Sequence, residues 1–385
     1  MNISTSITSE GGAGQPLILN PSNRIRRSPV FDKVQAAGAK AWSIYNGTMI
    51  GQWFGTLADD CAHLKRAVQL WDVGGERIVE IKGPGAQRLL QMTTPRDLWK
   101  VNTTRCAYIP MVDSKGRLLN DPVLVRLADD RFWIALADSD MYLFLKGLAA
   151  GSGLDVEISD PDVWILALQG PLADDVAERV WGPSVRDIPF FGHAPVPVEG
   201  RDMVLARTGW SLQGGFELYV EGSENLPLIW DRLFAAGQDF DIRVGCPNLI
   251  ERIEGGLLSY GNDMTEKHTP MEAGLGRHCV LDRDVGCLGY EALVAQREPA
   301  RQVRPVDISG GPVPSVAKLW EITDQDGNFA GRVSSAVWSP DQQGNVAIAM
   351  IERAYWDAGT KLIVHASDGP RDLTVRARYW IGRHS

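Results

Sequence analysis

No stretch of the sequence approaches the roughly 20 consecutive apolar residues that cross a bilayer, so a membrane partner is not expected. The opening Met1-Asn2-Ile3-Ser4-Thr5-Ser6 has neither a basic start nor a long apolar run. It does not read as a secretory leader, and the cytoplasm is the expected location. Basic clusters are equally scarce. With a net charge of −9 and a pI near 5.3, the chain is poorly suited to a phosphate backbone, and nucleic acid is not an expected partner. Its densest basic stretch, Asn23-Arg24-Ile25-Arg26-Arg27, reads as a solvated edge. The five cysteines, Cys61, Cys106, Cys246, Cys279 and Cys287, are odd in number and show no CxxC spacing. They read as reduced thiols rather than as a disulfide framework. The six histidines form no HExxH and no close pair, so no metal site is expected. No GxGxxG follows a strand, and neither GxxxxGK[ST] nor GxSxG occurs, which removes support for nucleotide cofactors and serine hydrolysis.

What is present is ordinary globular material, 44% hydrophobic and 23% charged over 385 residues. That length exceeds what one core usually serves, and two or three domains are expected. Residues 1–22, rich in Ser, Gly, Asn and Pro, are expected to be flexible. Leu57, Cys61, Leu64 and Val68 recur with helical period. Val123, Val125 and Leu127 alternate, Ala128-Asp129-Asp130 turns, and Phe132, Ile134 and Leu136 alternate again, which predicts a hairpin. A buried strand is predicted over Val163–Leu168 and a helix over Pro171–Val180. A strand pair follows at Met203–Arg207 and Phe216–Val220, then helices at Leu226–Ala236 and Leu249–Leu258. Past residue 300, short β-type segments such as Leu319–Thr323, Asn345–Met350 and Lys361–His365 alternate with turns, which predicts a small all-β domain. Strands and helices do not alternate regularly before residue 290, so the fold class is α+β.

The polar and aromatic residues left over gather on loops between apolar strands, where binding residues concentrate. Trp71-Asp72-Val73, Gln169-Gly170-Pro171, Arg207-Thr208-Gly209-Trp210 running to Gly214-Gly215-Phe216-Glu217-Leu218, and Leu249-Ile250-Glu251-Arg252-Ile253-Glu254 occur in that order. In these segments, and from about residue 24 to the end, the chain resembles the aminomethyltransferase superfamily of the glycine-cleavage T-protein. The resemblance implies a three-domain cloverleaf with a C-terminal β-barrel and a central cavity for tetrahydrofolate. It implies a folate-binding α+β domain from 23–60 and 155–255, a second α+β domain from 61–154 and 256–290, and a barrel domain over 291–385. Ala41-Trp42-Ser43-Ile44-Tyr45-Asn46, Thr94-Pro95-Arg96-Asp97-Leu98, Asn120-Asp121-Pro122-Val123 and Ala137-Asp138-Ser139-Asp140 narrow the likeness. So do the run Cys246-Pro247-Asn248-Leu249-Ile250-Glu251-Arg252 and Ser259-Tyr260-Gly261-Asn262-Asp263. These look like the bacterial dimethylsulfoniopropionate demethylases, which implies methyl transfer to tetrahydrofolate as acceptor. Where that group continues His-Met-Leu-Leu-Pro, this chain has Gly47-Thr48-Met49-Ile50-Gly51, a segment expected to wall the donor pocket.

A pterin ring offers a donor–donor edge that one carboxylate can accept as a bidentate pair. The resemblance puts Glu217 in that role; without the resemblance it reads as a solvent-facing glutamate on an exposed strand face. Tyr108 resembles the tyrosine beside the folate, and Tyr219 shares a strand face with Glu217. Either tyrosine could instead be packing with one satisfied hydroxyl. Arg252 either clamps the glutamyl tail of folate or pairs with Glu251 or Glu254. Glycine-cleavage T-proteins carry two acids where this chain has Asn120-Asp121. Loss of the first suits a sulfonium donor, which expels a neutral thioether and needs no general acid. The plain alternative is an Asn-Asp-Pro turn, with Asp121 anchoring folate or donor. A sulfonium has no hydrogen to donate, and an aromatic wall is its usual partner. Tyr45 and Trp210 match such positions, with Phe190 and Phe191 in reserve; among 13 tryptophans any one is core by default. Ser259 could meet a carboxylate or simply end a helix.

The expected mechanism is in-line displacement by N5 of tetrahydrofolate, with small-molecule partners only and a monomer or homodimer as the assembly. Rival readings are a folate-dependent demethylase of a quaternary amine or methyl ether, and aminomethyl transfer, which Asn120 disfavours. A non-enzymatic rival is a folate-binding protein of iron–sulfur assembly, whose Lys-Gly-Cys-Tyr signature is replaced here by Gly286-Cys287-Leu288-Gly289-Tyr290.

Overall fold

Three packed units account for the chain in a computed structural model that describes residues 22–136 and 138–382, plus the backbone of a short strand pair, Ser6–Ile7 with Leu17–Ile18. Apart from that pair, residues 1–21 of the segment 1–22, expected to be flexible, lie outside the described residues.

The first unit is a six-stranded sheet in the order His193–Val198, Arg201–Ala206, Gly215–Glu221, Val163–Gln169, Val68–Asp72, Ile242–Gly245. Its neighbours run antiparallel except the last pair, which is parallel. Side chains alternate across a strand, and that decides what each face does. Phe216, Leu218 and Val220 join Leu166 and Leu168 under helices Ala173–Trp181 and Leu226–Gly237. Glu217 and Tyr219 therefore point the other way, into the layer facing the second unit. That unit is an antiparallel five-stranded sheet ordered Glu157–Ser159, Arg77–Lys82, Arg131–Leu136, Val123–Arg126, Cys106–Tyr108. Trp71, Ile165, Ala167 and Tyr219 of the first sheet pack against Val125, Trp133 and Ala135 of the second. Helices Ala86–Thr93 and Met141–Ser152 cover the outer face of the second sheet through Leu89, Leu90 and Leu145. The third unit is a closed six-stranded barrel, Arg301–Ile308 to Gly369–Val375, filled by Val306, Ile322, Val364 and Leu373. The α+β class with a C-terminal barrel is as expected.

Several limits move. Val68 opens the strand Val68–Asp72, so the helix beginning at Leu57 ends at Leu64. That strand belongs to the first sheet, while Glu157–Ser159 pairs with Arg77–Lys82 in the second. The boundaries at 60/61 and 154/155 thus each fall short of the strand that decides them, because strand pairing is non-local. Helix Leu249–Gly255 stops three residues before Leu258: Gly256 is left-handed at φ +69°, and a Cβ there would meet the Tyr379 ring at 2.5 Å. Of the segment 47–51, residues 48–51 lie on the second arm of a hairpin, Ala41–Tyr45 with Thr48–Gln52. Asn46 and Gly47, at φ 47° and 72°, make the two-residue turn with both angles positive that right-twisted strands prefer.

Candidate functional site

Where the three units meet lies a cavity of about 1630 Å³. One small ligand usually fills roughly 300–1,000 Å³, so this volume suits two co-substrates side by side. Glu217 reaches it from the first sheet, Tyr108 from the second, Asp121 from the loop before Val123–Arg126, and Arg304 and Tyr379 from the barrel end.

Glu217 sits between Ala167 and Ala206 on the neighbouring strands, and these small residues leave room above it. It is 4% exposed, and its Oε2 accepts from Thr208 Oγ1 at 2.5 Å. Burial pushes its pKa up to about 7, partly offset by that hydroxyl. Glu76, from the turn after Val68–Asp72, lines the same cavity and is pushed up as well, by burial and then by the charge of Glu217. Two carboxyls facing one space cannot both ionise cheaply, so this pole holds a proton until a donor edge replaces it. A solvent-facing Glu217 is ruled out by the burial. Tyr219 is fully buried, stacked on Trp133 with centroids 5.8 Å apart, and is not among the cavity-lining side chains. Its expected place beside folate is corrected to the inter-sheet core, since it lies one step deeper along the strand than Glu217.

Asp121 follows the strand Leu118–Asn120. Its Oδ2 accepts from the Tyr108 hydroxyl at 2.5 Å, and burial raises its pKa to about 7 against the lowering effect of that bond. Asn120, 2% exposed, donates through Nδ2 to Asp138 O at 2.8 Å and Ser139 Oγ at 3.1 Å, while its Oδ1 accepts from Asp121 N at 2.8 Å. All its amide hydrogens are spent, so it holds the turn that aims Asp121.

Arg252 does not pair with Glu251 or Glu254. It donates to Asp263 Oδ2 at 2.9 Å and Ser335 Oγ at 2.7 Å, and is 5% exposed. Glu251 instead accepts from Leu212 N and Gln213, and Glu254 from Lys65 and Ser339. The guanidinium also lies 5.8 Å from the Trp210 ring centroid. Trp210, Tyr45 and Phe191 all line the cavity, as does Phe190, which is 72% exposed and edge-on to Phe191. Ser259 lies in a turn beyond the helix rather than at its end; its N–H donates to Asp263 at 2.9 Å and its Oγ accepts from Asn262. Ile50 of the 47–51 segment lines the cavity beside Tyr45.

Three contributors escaped the sequence reading: Glu76, Thr208 and the group Arg96–Arg277–His278. Arg96 and Thr208 lie inside the family-like segments Thr94–Leu98 and Arg207–Trp210, whereas no local pattern marks Glu76 or Arg277. Cys287 packs with Val112, Val285 and Leu293, and burial pushes its thiol up to about 11, which leaves it a structural residue.

Residues 30–283 match the GCVT N-terminal domain and residues 301–380 the glycine cleavage T-protein C-terminal barrel domain. The dimethylsulfoniopropionate demethylase DmdA of Ruegeria pomeroyi is 49% identical over 94% of this chain and 98% of its own. An aminomethyltransferase of Desulfitobacterium hafniense is 28% identical over 88% and 93%. The crystal structure of aminomethyltransferase T of the glycine cleavage system from Bartonella henselae superposes with a TM-score of 0.83, at 22% identity, over 94% of this chain and 99% of that one. That superposition speaks for the fold.

Proposed function

The chain belongs to the glycine cleavage T-protein family, and from that premise we propose that it is a tetrahydrofolate-dependent dimethylsulfoniopropionate demethylase. The observation that carries the choice within the family is Asn120. Its amide is fully engaged in the turn at 138–139, so the first of the paired acid positions manages no proton. Loss of a neutral thioether needs none.

Transfer breaks one S–CH₃ bond, with the electron pair staying on sulfur, and forms an N5–CH₃ bond; the products are methylmercaptopropionate and 5-methyltetrahydrofolate. The hydrogen on N5 must then leave as a proton. Asp121, with Oδ2 held by Tyr108, keeps Oδ1 available to receive it. Glu217 meets the pterin's donor edge: Thr208 engages one oxygen only, and the buried carboxylate gains most from added donors. Tyr45 and Trp210 face the sulfonium by cation–π attraction, and Ile50 completes that wall. The protein's main contribution is to hold both substrates at reacting distance in a water-poor space. The substrates are small molecules. No described helix is long and apolar enough to cross a membrane, and the five cysteines are free, which suits a cytoplasmic setting.

Incubation with tetrahydrofolate and a panel of methyl donors, with 5-methyltetrahydrofolate followed by mass, tests the reading. Product is expected with dimethylsulfoniopropionate. Product only with a quaternary amine or an aryl methyl ether would overturn it.

A further inference from the structure

On the second unit's side of the cavity, Arg96 and Arg277 converge on the imidazole of His278. Arg96 Nη1 lies 2.8 Å from His278 Nδ1, and Arg277 Nε lies 3.0 Å from His278 Nε2. Both arginines present donors. A neutral imidazole has one acceptor nitrogen and carries a hydrogen on the other, so the ring can satisfy only one of them. Protonating it makes matters worse, and burial with the two guanidiniums pushes its pKa down to about 4. One of the two guanidinium N–H groups therefore finds no acceptor on the ring, and on the exposed Arg277 it is left to water or to a ligand.

Seven arginines line the cavity; Arg105 and Arg378 have no ion pair among the described residues but donate to no ring of the site, and three others are committed. Arg207 is paired with Asp174 and Arg252 with Asp263, while Arg304 stacks on Trp356. Arg96 and Arg277 make no ion pair among the described residues; Arg96 donates instead to Tyr108 O at 3.0 Å. The His278 ring stands edge-on to Tyr108 with centroids 5.2 Å apart, and Tyr108 holds Asp121. Arg277 is thus linked through two rings, His278 and Tyr108, to Asp121 at the proposed reacting centre.

We propose that Arg277, backed by His278 and Arg96, is the anchor for the carboxylate of the methyl donor. This rests on the demethylase reading above. A donor with a sulfonium at one end and a carboxylate at the other needs opposite recognition at its two ends. The aromatic wall serves only the cation, and Ser259 offers the anion a single hydroxyl. A carboxylate between Arg277 and the wall accepts the N–H that His278 cannot, and the charge-assisted bond replaces a donor–donor conflict.

The probes are dimethylsulfoniopropionate and its primary amide, which keeps the cation and loses the anion, titrated calorimetrically against the full chain. Wild type is expected to bind the acid about ten- to a hundred-fold more tightly than the amide. In Arg277→Gln that preference should shrink to about twofold, and Arg277→Lys should keep part of it. Arg277 is exposed, so neither change disturbs the core. Affinities for tetrahydrofolate and for 6-methyltetrahydropterin, which lacks the glutamyl tail, should not move. A full acid preference in Arg277→Gln overturns the inference alone. A variant that loses tetrahydrofolate but keeps 6-methyltetrahydropterin assigns the site to the folate's own carboxylate and overturns it too. A wild type that binds neither sulfonium sinks the demethylase reading and this inference with it.

Discussion

Glu217 enters the cavity from a strand of the first sheet and Asp121 from the loop leading into the second, and burial pushes both up to about 7. Their neighbours differ. Glu217 faces a second acid, Glu76, and has a single hydroxyl for a partner; Asp121 is gripped by a tyrosine hydroxyl and aimed by an asparagine that spends its whole amide on the task. Loss of water sets the common pKa, whereas the surrounding donors set the use. A carboxylate short of donors binds a ligand that brings them, and one already steadied on one oxygen can pass a proton on the other. Similar titration in two places does not mean similar function.

The sharpest way to break this contrast is Asp121→Asn. Turnover should fall about 10²–10⁴-fold, the usual share of a positioned proton acceptor, while tetrahydrofolate binding changes little. Single-turnover formation of 5-methyltetrahydrofolate should rise through about pH 7 in the parent and stay flat in the variant. A wild-type rate would reduce Asp121 to a binding group.

Glu217→Gln should do the reverse and weaken tetrahydrofolate binding by about 1.5–3 kcal/mol, because one acceptor becomes a donor. Unchanged affinity in titration calorimetry would remove Glu217 from the pterin site. Stability carries the opposite sign. A carboxyl whose folded pKa is raised contributes fully below its unfolded value near 4.5, and that contribution is lost as pH climbs through about 7. The ligand-free variant should therefore melt higher than the parent at pH 8, by about 1–3 kcal/mol, and show no gain at pH 4.5.

The smallest effect lies at the wall that neither carboxylate touches. Tyr45→Phe should be tolerated, while Tyr45→Leu should lose roughly 0.5–2 kcal/mol of sulfonium binding. Folate affinity should stay constant in both. Equal sulfonium binding by the two variants would mean that ring character is irrelevant and the wall is mere bulk.

The sequence by itself determined the class of fold, the β-barrel end and the faces of the strands, because periodicity is a local record of which side meets water. Alternation over Phe216, Leu218 and Val220 already turned Glu217 to the other face, and the Asn46-Gly47 turn was equally legible though its hairpin went unread. Family motifs then singled out Glu217, Tyr108, Asp121, Tyr45, Trp210, Phe191 and Ser259, all of which reach the cavity. Only tertiary structure decided the partners. Arg252 turned from its helix neighbours to Asp263 and to Ser335 on the barrel, Tyr219 sank into the inter-sheet core, and Arg96 met His278 across 182 positions. A strand's pattern says which face a side chain takes. It does not say how deep that face lies or which distant unit covers it, and those two facts set desolvation, hydrogen bonding and hence the chemistry.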